Sequence, residues 1–271
     1  MMRALYTAAS GMRAQQTNVD NISNNIANVN TTAFKSQKTE FKSLLYQTIQ
    51  TRTTSANGEE KPIGAQVGLG TRVASNTTSY TQGALLEDES KSAFAIEGNG
   101  FFQVRGADGT TYYTRNGNFN WSIGPTGTTL TNTDGYPVLD SNGKTIVLPN
   151  NVNSEKAVVT TDGQVGYYNN AGAYVSMNQT IGLSQFNNPA GLEKAGSNLL
   201  RATNASGAAL NEATNANLTR SKIHQGYLEG SNVQVADEMV NLIVAQRAYQ
   251  LNSKAITTSD DMLEQANNLK R

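Results

Sequence analysis

Both ends of this 271-residue chain carry apolar residues at a seven-residue step. Near the N-terminus the step runs through Leu5, Met12, Val19, Ile26 and Ala33, with a second row at Ala8, Gln15, Ile22 and Val29. Near the C-terminus it runs through Val235, Leu242, Tyr249, Ile256 and Leu263, and Ala245, Asn252, Ser259 and Ala266 make the second row. Rows of this kind are the a/d seam of a helix that packs along another helix. They predict a helix over residues 1–33 and a second from about Val233 to Asn267, paired as a coiled coil. Asn232 is the expected N-cap of the second. Asp237 and Glu238 fall near its positive dipole end, and Lys270 and Arg271 near its negative end. Local propensity opposes the first helix, because Asn18, Asn21, Asn24, Asn25, Asn28 and Asn30 are poor helix formers and Gly11 is worse.

Between the helices the period shifts to two. Phe94–Glu97, then Gly98-Asn99-Gly100, then Phe101–Val104 reads as strand, hairpin turn, strand. Asp108-Gly109, Asn116-Gly117, Asp134-Gly135, Asn142-Gly143 and Asp162-Gly163 are hairpin-type dipeptides. The expected class is therefore α+β. An N-terminal helix (1–33) and a C-terminal helical segment (225–271) form an inner domain. A linker or extended arm spans 34–72, its stretch Thr48–Leu69 polar and looped, and an all-β domain spans 73–224.

Composition narrows the chemistry. The charges balance, 21 basic against 21 acidic, which leaves no electrostatic footprint for nucleic acid. The chain has no cysteine, so disulfides, thiolate chemistry and cysteine-based metal sites are excluded. No apolar run approaches the roughly 20 residues that cross a bilayer, and Met1–Thr7 lacks the apolar stretch of a cleaved secretory signal.

The single histidine, His224, has no second histidine or cysteine to join it in a catalytic or metal-binding set, and reads as a structural or surface residue. Gly143-Lys144-Thr145 imitates a phosphate loop, but Val138 stands where that motif needs glycine. Tyr112, Tyr113 and Trp121 could form a stacking surface; packing in hairpins is the simpler reading. No nucleophile, base and orienting group emerge together. The expectation is a non-enzyme with no catalytic residues, metal, cofactor, nucleic-acid partner or small-molecule substrate.

The candidate functional residues are accordingly those of the seam: Leu5, Met12, Val19, Ile22, Ile26, Val29, Val235, Leu242, Tyr249, Ile256 and Leu263. Ordering the two ends costs about 1–2 kcal/mol of backbone entropy per residue. An isolated pair with so few apolar knobs is marginal, so the ends are expected to order when neighbouring copies cover them. Heterologous contacts that do not close would then build a tube. By themselves the stripes fit an intramolecular or dimeric coiled coil as well.

Several longer strings resemble those of the flagellar rod and hook axial proteins. Gly11-Met12-Arg13-Ala14-Gln15-Gln16 and Asn24-Asn25-Ile26-Ala27-Asn28-Val29-Asn30-Thr31-Thr32-Ala33-Phe34-Lys35 resemble that family's N-terminal signature, except that Ala33 replaces the usual glycine. Ala95–Val104, Tyr113–Phe119 and Phe186–Leu192 are similar to its shared β-domain, and Gln225–Val233 and Gln246–Ala255 to its C-terminal region. The length, and Leu44–Ile49 followed by a polar arm, are most similar to the distal-rod branch. Another rod protein or a short hook-type subunit is the alternative within the family, and a secreted coiled-coil adhesin the alternative outside it.

The resemblance implies a subunit exported unfolded by the flagellar type III apparatus, without a cleaved signal peptide. It implies polymerisation into a tubular drive shaft between motor and hook, with the helices inside and the β-domain outside. The implied partners are copies of itself in a helical homopolymer, proximal rod proteins, the hook protein and, in a two-membrane envelope, the P and L ring proteins.

Overall fold

The computed structural model describes residues 2–50, 65–124, 127–149, 152–169, 172–215 and 217–269. The chain forms two compact units, one of residues 1–27, 37–78 and 234–271, the other of residues 28–36 and 79–233.

The first unit contains both long helices. Helix α1 spans Met2–Ala27, and α2 spans Val235–Asn268. The N-terminal helix therefore stops six residues short of the expected 33. Beyond it Thr31 N–H donates to Asn28 O, Phe34 N–H donates to Thr31 O, and Ala33 turns left-handed with φ 56°. A non-glycine residue in that region strains against its own Cβ, and no helix continues through it. The N-cap expectation for α2 is also corrected. Gln234 is the N-cap, without a side-chain cap bond. The Asn232 side chain is engaged elsewhere, accepting from Ser36 N–H at 2.8 Å and donating to Ser79 O at 2.9 Å. Asp237 and Glu238 do lie in the first turn, and Lys270 and Arg271 fall outside the described residues.

The described part of the expected linker is largely strand. β1 (Gln37–Ser43) pairs antiparallel with β4 (Thr71–Thr78), and β2 (Tyr46–Gln50) with β3 (Ala65–Gly68). Leu44 N–H to Gly70 O and Leu69 N–H to Leu45 O join the two ladders into one ribbon. The described ends of the expected Thr48–Leu69 loop are thus β-paired, and its remaining part, 51–64, lies outside the described residues. Because Thr71–Thr78 completes this ribbon, it belongs with the helices and not with the β-domain expected to begin at 73.

Among its described residues the second unit is all β apart from two short 3-10 turns. Its largest sheet has six antiparallel strands in the order Glu193–Gly196, Leu199–Arg201, Thr111–Thr114, Phe101–Arg105, Leu183–Gln185 and Leu210–Asn211. Two three-stranded meanders accompany it. The main core gathers Phe94, Ile96, Phe102, Val104, Phe119 and Leu130 with further aliphatics. A second cluster packs Phe101, Tyr113, Phe186, Leu192 and Leu200.

Four of the five turn dipeptides place their glycine left-handed: Gly109, Gly135, Gly143 and Gly163 at φ 75–84°. Asn116-Gly117 is different. A Cβ at Gly117 would meet Phe94 O, so that glycine serves a close backbone approach. The hairpin expected across Gly98-Asn99-Gly100 is not formed. Phe94–Glu97 pairs with Lys222–Gln225, whereas Phe101–Arg105 joins the six-stranded sheet. Arg115 Nη1 donates to both Gly98 O (2.7 Å) and Gly100 O (2.6 Å), turning the chain between sheets instead of back on itself.

Candidate assembly interface

Helices α1 and α2 pack on each other. Ala8 and Ala14 on α1, and Ala245 and Ser259 on α2, are buried. Gly11 lies so near α2 that a Cβ there would come 2.9 Å from Asn252 Nδ2. The helix-breaking glycine that propensity counts against α1 is thus what admits the Asn252 amide. Asn25 plays a comparable part and is 1% exposed. Its Oδ1 accepts from Gln37 N–H at 3.0 Å, and its Nδ2 donates to Gln37 O at 2.9 Å and to Glu238 Oε1 at 3.2 Å. One amide therefore joins α1, β1 and α2.

The larger apolar residues of the helices are less well covered. Among the seam residues Ile22 is buried; Leu5, Met12, Val19, Ile26, Leu242, Ile256 and Leu263 are half-buried; Val235 and Tyr249 are each 41% exposed. Val29 is half-buried, outside α1 and in the β unit. A further apolar set on α2 was not singled out from sequence: Met239, Val240, Ile243, Val244, Leu251 and Met262 are 54–69% exposed. At 100° per residue Val240, Val244, Leu251 and Met262 fall within about 40° of one another, on a different face from Ala245 and Ser259. The signal was present, because α2 is apolar at positions next to the heptad rows as well as on them. Gln15, the polar interruption of the first seam, has a buried Oε1 that no donor reaches.

The β unit holds a buried ionic cluster that sequence reasoning also missed. Glu229 is 1% exposed. Its Oε1 accepts from Lys35 Nζ at 2.6 Å and from Gly83 N–H at 3.0 Å, and Arg115 Nε lies 3.1 Å from its Oε2. Lys35 Nζ also donates to Thr81 O at 2.8 Å. Burial pushes the Lys35 ammonium and the Arg115 guanidinium below their ordinary pKa values, against the pull of Glu229. Nearby, Glu212 accepts from Ser221 N–H (2.7 Å) and Ser221 Oγ (2.8 Å). Two buried cations thus face two buried carboxylates, as burial of charge requires. The only hint in sequence was that Lys35, Arg115 and Glu229 each sit inside a string shared with the rod and hook proteins.

The other singled-out groups are dispersed. His224 Nε2 lies 2.8 Å from Glu97 Oε2 in a half-exposed cross-strand pair. That hydrogen bond, followed by the nearby charge of Lys222, holds the Glu97 carboxyl below its usual range. Tyr112 and Trp121 pack against the main core and Tyr113 sits in the second cluster, so the three do not make one stacking face.

Comparison with known proteins follows the same division of the chain. Residues 5–35 match the family described as flagella basal body rod protein, 95–167 the flagellar hook protein FlgE/F/G D1 domain, and 224–269 the flagellar basal body rod FlgEFG protein C-terminal family. The flagellar basal-body rod protein FlgG of Borreliella burgdorferi is 43% identical, each chain covered over its full length. In Bacillus subtilis, FlgG is 40% identical and the flagellar hook-basal body complex protein FlhP 31% identical, both over the whole of each chain. The chain belongs to the FlgG family of flagellar basal-body rod proteins. It is a structural rod subunit, and the adhesin alternative is not favoured.

Proposed function

We propose that this subunit polymerises into the tubular distal part of the flagellar rod, and that α1 and α2 make the contacts between copies. The observation that carries this reading is the second apolar face of α2. Burying six side chains that are now 54–69% exposed would contribute roughly 5–11 kcal/mol.

In this reading α1 and α2 pair as a short coiled coil. The heptad residues Leu5, Met12, Val19, Ile22, Ile26, Val29, Val235, Leu242, Tyr249, Ile256 and Leu263 line the assembly interface with the second face of α2. The shaft passes torque from motor to hook. Its neighbours are proximal rod proteins at one end, the hook protein at the other and, in a two-membrane envelope, ring proteins around it. Termini that order only against other copies suit a subunit exported unfolded, with no signal peptide removed.

The test is assembly of charge variants on each face. Val244→Asp and Leu251→Asp, on the uncovered face, should abolish rod formation seen by electron microscopy of basal bodies, while circular dichroism of the β unit stays unchanged. Ile26→Asp and Leu263→Asp, on the heptad rows, should do the same. Normal rods from Val244→Asp and Leu251→Asp would remove the uncovered face from the interface.

A further inference from the structure

The chain has a single tryptophan, and its position in the β unit is unusual for a residue that only fills a core. Trp121 lies on the strand Phe119–Gly124, half-buried, with part of its ring packed against the main hydrophobic cluster. Its Nε1 is buried and has no acceptor. Beside this indole a cleft of about 330 Å³ opens to solvent, lined by Glu89, Ser90, Lys91, Ser92, Ser154 and Glu155. That volume is within the range of small-ligand sites.

The lining restricts what could enter. The Glu89 and Glu155 carboxylates stand exposed at the cleft, and the one cation, Lys91, already donates to Glu155 O at 3.1 Å. Two carboxylates against one ammonium disfavour a phosphate or another anion. Among the described residues of the lining Trp121 is the only aromatic or aliphatic side chain, too little apolar surface for an acyl chain. A neutral sugar meets each requirement. Its C–H face can rest on the indole, and its hydroxyls can donate to the two carboxylates in charge-assisted bonds and exchange hydrogen bonds with the serines.

We propose that the Trp121 cleft binds a neutral oligosaccharide. The cleft uses none of the residues assigned to assembly, so it stands or falls independently of the assembly reading.

A single tryptophan makes the test direct, because the full-length protein gives one indole N–H resonance in a ¹⁵N-correlated spectrum. Chitotriose and cellotriose are titrated as neutral probes and inorganic phosphate as the anionic control. At least one trisaccharide should shift the indole resonance saturably, and phosphate should leave it in place. The surface variant Glu89→Gln/Glu155→Gln removes the two charged acceptors without touching the core, and should weaken the saccharide roughly tenfold or more. Indifference of the indole to both sugars would overturn the proposal. So would a shift by phosphate, or equal affinity in the double variant.

Discussion

Lys35 Nζ lies 2.6 Å from Glu229 Oε1, both side chains buried, across 194 positions of sequence. Lys35 comes soon after α1 ends and Glu229 shortly before α2 begins, so this pair closes the β unit by joining its first segment to its last. Arg115 adds a third approach from the strand region between them.

Glu229 is accordingly the residue whose loss should matter most in the β unit. Glu229→Gln leaves Lys35 and Arg115 buried without their shared counter-charge, and breaking a buried pair in this way costs about 3–5 kcal/mol. Urea unfolding followed through Trp121 fluorescence should report that loss. A midpoint within error of the parent's would show the cluster to be energetically idle.

Ala33 offers the opposite change. Its φ of 56° is a conformation glycine adopts freely, and its N–H donates to Glu229 O at 2.7 Å. Left-handed backbone costs a non-glycine residue about 1–2 kcal/mol, partly offset by the larger entropy glycine loses on folding. Ala33→Gly should therefore raise the stability of the β unit by about 0.5–1 kcal/mol, read as a higher urea midpoint at unchanged slope. A fall in the midpoint would count against the strain.

Asn25 is tested by an isosteric charge. In Asn25→Asp the two donated hydrogens are replaced by an anion facing Gln37 O and Glu238, so repulsion replaces both bonds. Asn25→Ala only leaves partners unsatisfied, at about 1–3 kcal/mol. Hydrogen exchange at the Gln37 amide, bonded to Asn25 Oδ1 at 3.0 Å, should accelerate in both variants and more in the aspartate. Equal exchange in all three proteins would mean the amide is not the clamp.

Tyr80 carries the pH prediction. Burial against Phe101, ring centroids 5.6 Å apart, raises its pKa from 10.0 to about 12. A folded value above the unfolded one gives stability that is complete below pH about 10 and lost as pH climbs through about 12. The full loss is at most about 3 kcal/mol. Spectrophotometric titration of the folded protein should show the Tyr80 phenol lagging toward 12, beside Tyr113, whose pKa burial also raises, and Tyr80→Phe should remove the Tyr80 step and its part of the alkaline destabilisation.

The helix–β–helix order was legible because it rests on local regularities. The heptad rows place α2 to within two residues, and the Asp-Gly and Asn-Gly dipeptides mark real left-handed turns at Gly109, Gly135, Gly143 and Gly163. Where a boundary depended on a distant partner, the local pattern misled. Phe94–Glu97 and Phe101–Arg105 read as a hairpin because they are adjacent, yet each found a strand far along the chain. Asn232 had the chemistry of a helix cap but was taken by Ser36 and Ser79.

The assembly surface divides in the same way. Sequence alone determined that the chain has two amphipathic ends, a turn-rich β middle, no cysteine and the strings of the rod and hook proteins. Only the tertiary structure decided which stripe each helix spends on its partner. Periodicity records which side chains are apolar, whereas burial depends on how closely two backbones approach, and Gly11 lets α1 come close against Asn252 of α2 while Val240, Val244 and Leu251 stay outside.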